Sequence, residues 1–169
     1  QKYYKNNNIQ IFNDFINYEN INKKIERSIN KKNFDFFSLD TDGMDYWILE
    51  NLYFKPKIIC VEFNPWLGKY DQLVIPRSLN FNYQSDMYYG ASLKAYKSLL
   101  NNKGYKLICI ESSGNNAFFI NQDEFKIEFD EIEIEKSFKF DPKFSEATYQ
   151  LIYKKLLKSK VIGKKLLSR

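Results

Sequence analysis

Phe34-Asp-Phe-Phe-Ser-Leu-Asp-Thr-Asp-Gly-Met-Asp-Tyr-Trp47 is the stretch on which the fold of this chain turns. Its first six residues have the length and the apolar content of a short buried strand. The run passes directly into Asp40, Asp42, Gly43 and Asp45, and then Tyr46-Trp-Ile-Leu-Glu-Asn-Leu52 reads as a short helix. Pro56 breaks the chain before a second strand, Ile58-Ile-Cys-Val-Glu-Phe63, which ends at Asn64-Pro65. A strand, a helix and a second strand in this order predict parallel pairing with a right-handed crossover.

Upstream, Ile21, Ile25 and Ile29 recur every four residues and predict a helix, closed by Asn30-Lys-Lys-Asn33. Downstream, residues 64–90 mix aromatics, Gly, Pro and Asn without a period. A connection this long inside a compact domain is usually functional. Leu93, Tyr96, Leu99 and Leu100 form a helical stripe that Gly104 stops. Two strands follow, Tyr105–Ile110 and Asn116–Ile120, joined by Ser112-Ser-Gly-Asn115. So short a link cannot make a crossover, so this pair is antiparallel. The expected fold is therefore α/β, a mostly parallel sheet with one reversed strand at its end. Beyond it, Phe125, Ile127, Phe129, Ile132 and Ile134 alternate with charges and predict one or two exposed strands. Asp141-Pro142 opens a last, basic helix with Leu151, Ile152, Leu156 and Leu157 on one side. The chain thus divides into an α/β part, 1–122, and an appendage, 123–169.

The composition narrows the chemistry. At 169 residues the chain suits one domain, and 44% apolar with 28% charged residues supports a real core. Histidine is absent, which removes Ser-His-Asp and Cys-His catalysis and His-ligated zinc from what these residues can build. Cys60 and Cys109 each lie in an apolar run and read as small buried hydrophobes. Two lone cysteines point to a reducing, cytoplasmic setting. The apolar runs are too short for a transmembrane segment, and the polar Gln1–Asn8 is no signal peptide. The net charge is +5, but much of the excess lies in the tail from Lys154 onward, while Asp123 to Glu135 is acidic. That distribution argues against nucleic acid. The tail reads first as a solvated helix face, and second as a contact for a membrane surface or an acidic partner.

In open parallel sheets, ligands bind outside the carboxyl ends of the strands. Here those ends carry Asp40, Asp42 and Asp45, and then Glu62 and Asn64. Such oxygen donors suit Mg²⁺, Ca²⁺ or a cationic or polyhydroxyl ligand. Asp42-Gly43 also fits a plain turn, and Asp45 a helix cap. Asp40 and Glu62 fall where a strand is still buried, and a buried carboxylate needs a partner. Alternation puts Glu62 and Asn64 on one face.

The opening stretch resembles the D-x-D-G-x-D-Y-W segment of FkbM-like methyltransferases, which use S-adenosylmethionine. Ile59-Cys-Val-Glu-Phe-Asn64, Gly90-Ala-Ser-Leu93, Lys103-Gly-Tyr105 and Ser113-Gly-Asn-Asn-Ala-Phe-Phe119 agree in order and spacing. The resemblance implies part of a seven-stranded class I methyltransferase (Rossmann-like) sheet, with these strands as its fourth to seventh and the last antiparallel. It implies methyl transfer to a hydroxyl of a sugar or polyol, with S-adenosylmethionine as cofactor and Mg²⁺ as a candidate metal. Asp40 and Asp42 are then the catalytic candidates; a lysine or a metal-activated oxygen are other sources of the base. Asp40, Tyr46 and Trp47 are the cofactor candidates, although Tyr46 and Trp47 equally read as the apolar face of a short helix. Glu62, Asn64, Tyr88, Ser92 and Asn115 are candidates for holding the substrate, and Asp42, Glu62 and Asn64 for holding a metal. Trp66 to Tyr89 is the expected acceptor lid, with Tyr83, Tyr88 and Tyr89 able to stack on sugar faces.

The family's glycine-rich cofactor loop and ribose-holding acid belong to its first two strands, and nothing upstream of Asp40 supplies them. At about 30 residues per strand-helix-strand unit, the missing part amounts to about 80–100 residues. With Gln1 in place of an initiator Met, the expectation is a fragment of a longer enzyme, or a remnant that cannot bind cofactor alone. The competing class is a non-catalytic interaction module whose bare sheet edge pairs with a second copy or a partner chain. A nucleotide or nucleic-acid binder using the basic tail ranks third, with steep salt dependence as its signature.

Overall fold

The apolar run after residue 34 forms strand β1 (Phe36–Leu39), and the run after Pro56 forms β2 (Ile58–Glu62). In a computed structural model describing residues 9–29, 34–68, 70–126, 150–151 and 154–156, these two strands pair in parallel, with Leu39 beside Val61. Helix α1 (Ile21–Ser28) precedes them and α2 (Asp45–Asn51) connects them. A long irregular connection contains one 3₁₀ turn, Pro65–Leu67, before helix α3 (Leu93–Asn102). Strands β3 (Tyr105–Ile110) and β4 (Asn116–Asn121) close the sheet. Gly104, at φ +87°, supplies the left-handed residue that ends α3 and releases the chain into β3.

The sheet is mixed, in the order β1-β2-β4-β3. The expected reversed strand exists, but it is not at the sheet's end. β4 lies between β2 and β3 and is antiparallel to both, so only β1–β2 is a parallel pair. The crossover through α3 sets β3 one strand-width beyond β2. That leaves a slot with unpaired backbone groups on both sides, and the return of the β3–β4 hairpin fills it. The short link fixed the antiparallel sense of the hairpin, whereas the side on which it folds back depends on that slot.

Register determines which side chains share a face. Ile59 pairs with Phe119, Val61 with Ala117, and Leu107 with Phe119. These residues join one buried cluster with Ile21 and Ile25 of α1, Ile48 and Leu49 of α2, and Tyr96 and Leu100 of α3. The four-residue spacing in α1 is thus a buried stripe. The opposite face is partly open: Phe36 and Ser38 are exposed and Phe118 is half-buried. Cys60 is buried as expected, but Cys109 is exposed. The pairing of β3 with β4 shifts register between Leu107 and Cys109, and β3 is an edge strand, which turns that thiol outward.

The alternating stretch around 125–140 lies outside the described residues from 127 onward. Of the expected final helix, residues 150–151 and 154–156 are described and helical, and Leu156 is 1% exposed within the same core. Among the described residues, no helix is long and apolar enough to cross a membrane.

Candidate functional site at the carboxyl ends of β1 and β2

Because Leu39 sits beside Val61, the residues that follow them, Asp40 and Glu62, stand at the same end of the parallel pair. Asp40 leaves β1 there, and Glu62 is the last residue of β2. Asp42 then turns back at φ +53°, a left-handed conformation that Asp tolerates better than most residues. One carboxylate oxygen each from Asp40, Asp42 and Glu62 lie within 4.8 Å of one another. Among the described residues, no lysine or arginine forms an ion pair with any of the three.

Glu62 is the group most altered by this setting. Its Oε2 is buried without a hydrogen-bond partner among the described residues. Burial, reinforced by the charges of Asp40, Asp45 and Asp42, pushes its carboxyl from the ordinary 4.5 to about 7. Between those two values the folded chain holds a proton that the unfolded chain has released, so stability falls as pH rises through that window and levels off above it. Glu62→Gln removes the charge. Its stability relative to wild type, measured by urea unfolding across pH, is expected to improve from about pH 4.5 to about pH 7. A flat difference would mean that Glu62 is not held protonated by the fold.

Asp45 shapes the loop that carries Asp40 and Asp42. It is 1% exposed, and its Oδ1 and Oδ2 accept from Thr41 N at 2.9 Å and Gly43 N at 3.1 Å. Burial raises its pKa, while those donors pull it down. Met44 is the residue before α2 and gives it no side-chain cap, so Asp45 folds the loop back from inside the first turn. Gly43 is required by close approach: a Cβ there would lie 2.3 Å from the Phe81 ring.

The other wall is the irregular stretch before α3. Asn64 is fully buried; its Nδ2 donates to Met87 O at 2.8 Å and Tyr89 O at 3.0 Å, and its Oδ1 accepts from Trp66 N. That carboxamide anchors the loop at 87–89, while Asp40, Asp42 and Glu62 form the carboxylate cluster. The loop carries Tyr83 and Tyr89, whose rings meet edge to face at 5.3 Å. The Tyr89 phenol is pushed up by burial and, secondarily, by the charges of Glu62, Asp40 and Asp42. Met87 and Ser85, at φ +60° and +55°, bend this loop.

The remaining sequence candidates take other positions. Tyr46 is buried against Trp47 and Tyr96, and Trp47 Nε1 donates to Ile75 O at 2.9 Å. The Arg77 guanidinium lies over the Trp47 ring at 4.7 Å and over Tyr18 at 5.0 Å, so both aromatics of α2 are engaged in packing. Ser92 Oγ accepts from Ala95 N and Leu73 N and donates to Asp71 O, which caps α3 and pins the preceding chain. The Asn115 carbonyl accepts from Phe63 N at 2.7 Å, so the hairpin turn does reach the end of β2. Tyr88 packs near Phe81, and both rings are half-buried against the core.

Two residues that the sequence did not single out for this site matter to it. Tyr96 is fully buried, its hydroxyl has no partner among the described residues, and its phenol is pushed up by burial and by Asp45 and Glu62. It read only as one position of an apolar helix stripe. Phe81, which packs on Gly43, sits in a stretch without periodicity and gave no signal. Compared with protein families, curated proteins and solved structures, the chain matches none.

Proposed function

We propose that the crevice belongs to an S-adenosylmethionine-dependent O-methyltransferase that modifies a hydroxyl of a sugar or polyol, and that the sheet is the latter part of a Rossmann-like class I methyltransferase sheet. The observation that carries this reading is the meeting of Asp40, Asp42 and Glu62 at the carboxyl ends of two adjacent parallel strands. The reversed last strand supports it, because β1, β2 and β3 run one way and β4 alone runs against them.

The donor set fits such a cofactor. Carboxylates without an ion-pair partner among the described residues suit a sulfonium and an ammonium charge, and a neighbouring cavity of about 280 Å³, lined by Phe15, Thr41, Met44, Ser78, Leu79 and Phe81 among others, suits a flat, largely apolar group. When bound, S-adenosylmethionine supplies an electrophilic methyl group. The protein's part is to hold the acceptor in line and to take its proton. Asp40 and Asp42 orient the partners by charge and hydrogen bonding. Glu62, with a carboxyl poised at about 7, is matched to accept the hydroxyl proton at neutral pH. Tyr83, half-buried against the Tyr89 ring, is the tyrosine of this loop with ring surface left for the acceptor. The three carboxylates are also hard oxygen donors of the kind that hold Mg²⁺, which would polarise the acceptor oxygen. The edge of β1 that no described strand pairs with is where strands bearing a glycine-rich cofactor loop would join the sheet.

The test is transfer of labelled methyl from S-adenosylmethionine to a mixture of sugars and polyols by the full-length natural protein. Asp40→Asn, which removes a charge that orients the partners, is expected to reduce it by about 100-fold. Wild-type turnover in that variant would contradict the role of Asp40.

A second reading rests on the edge itself. β1 pairs only with β2 among the described residues, and Phe36 on it is 52% exposed. A non-catalytic module that completes its sheet with another chain would present such an edge. It predicts a stable dimer or hetero-complex by light scattering and no methyl transfer.

A further inference from the structure

The loop beside the carboxylates is held from two sides. On the inner side Asn64 binds the Met87 and Tyr89 carbonyls. On the outer side the contacts come from the helical residues near the C-terminus. Lys155 forms an ion pair with Asp86 Oδ2, and its ammonium lies 5.5 Å from the centre of the Tyr88 ring. Asp86 uses its other oxygen, Oδ1, to accept from Tyr88 N at 3.1 Å. The neighbouring Leu156 is 1% exposed in the core, which fixes where Lys155 can reach. The Lys155 ammonium holds the Asp86 carboxyl below the usual carboxylate range.

We propose that the helical residues 150–151 and 154–156 form a strap, with Lys155 as its positioning residue, that holds the outer side of the tyrosine loop against the acidic crevice. Leu156 anchors the strap and Lys155 orients Asp86, while Asp86 in turn fixes the Tyr88 backbone. Met87 and Tyr89 follow directly in the chain, and Met87 also accepts from the Tyr83 hydroxyl through its sulfur. Releasing Lys155 therefore loosens the loop at its outer side while Asn64 still holds the inner one. The strap is a property of this fold and does not depend on which molecule enters the crevice.

Amide hydrogen exchange on the intact chain tests it, because Tyr88 N–H reports directly on Asp86. Lys155→Gln removes the charge at a surface position and is expected to speed exchange in the 83–90 segment by roughly 2- to 6-fold, the range of a partly exposed ion pair. Lys155→Arg, which keeps the ion pair and the ring contact, is expected to retain wild-type protection. Leu156→Ala is expected to accelerate the same segment without altering any charge. Exchange in the β3–β4 hairpin should change little in Lys155→Gln. The strap is contradicted if Lys155→Gln leaves the 83–90 segment unchanged, if Lys155→Arg behaves like Lys155→Gln, or if the acceleration spreads evenly into β3 and β4.

Discussion

Phe119→Ala is expected to cost about 3–5 kcal/mol, a large share of the ~5–15 kcal/mol that keeps a domain folded. Phe119 is fully buried on β4 and lies in register with Ile59 on one side and Leu107 on the other. It therefore joins the parallel pair to the hairpin across the slot that β4 fills. Removing its ring opens a cavity with walls from both neighbouring strands, and neither can move inward without breaking register. Phe36→Ala supplies the contrast, because Phe36 is 52% exposed on β1, the end strand among the described residues. Its expected cost is within ~0.5 kcal/mol. Urea unfolding of the two variants checks the pair, and equal losses would mean that β4 is not the strand that closes the sheet.

Asp45→Ala is expected to lower stability by about 2 kcal/mol and to displace the loop bearing Asp40 and Asp42. Two effects oppose one another at this residue. Burial penalises its charge, which favours removal. Against that, Thr41 N and Gly43 N both donate to it, and Ala leaves those two donors without their acceptor. An unsatisfied buried donor such as Gly43 N costs about 1–3 kcal/mol, and the partly exposed Thr41 N adds less, so the second effect wins. Asp45→Asn keeps one acceptor oxygen and should lose about half as much. Urea unfolding gives the energies, and amide exchange at Thr41 and Gly43 reads the loop. A stable Asp45→Ala with both amides still protected would contradict this account of the loop.

The sequence carried the elements well where one period dominated. Ile21 and Ile25, the run at 58–62 and the stripe of Leu93, Tyr96 and Leu100 each reflect a face that had to be buried, and each element formed there. The place of β4 in the sheet was not legible, because sheet order depends on a gap between β2 and β3 that no local pattern records. Half of the site was legible for a simple reason: Asp40, Asp42 and Glu62 stand at strand ends, and strand ends converge. Asn64 shows the limit. Alternation placed it beside Glu62, but its carboxamide went to backbone groups twenty-odd residues away in an aperiodic loop. Lys155 is the same case at longer range, for a basic tail read alone is indistinguishable from a solvated helix face.

The most direct measurement is a calorimetric titration of S-adenosylmethionine into the full-length natural protein, repeated with Asp40→Asn. The methyltransferase account predicts saturable binding to the wild type, weakened by about 10-fold or more in the variant, the effect of losing roughly 1.4 kcal/mol of charge-assisted interaction. No binding to the wild type, or equal affinity in both proteins, would contradict it.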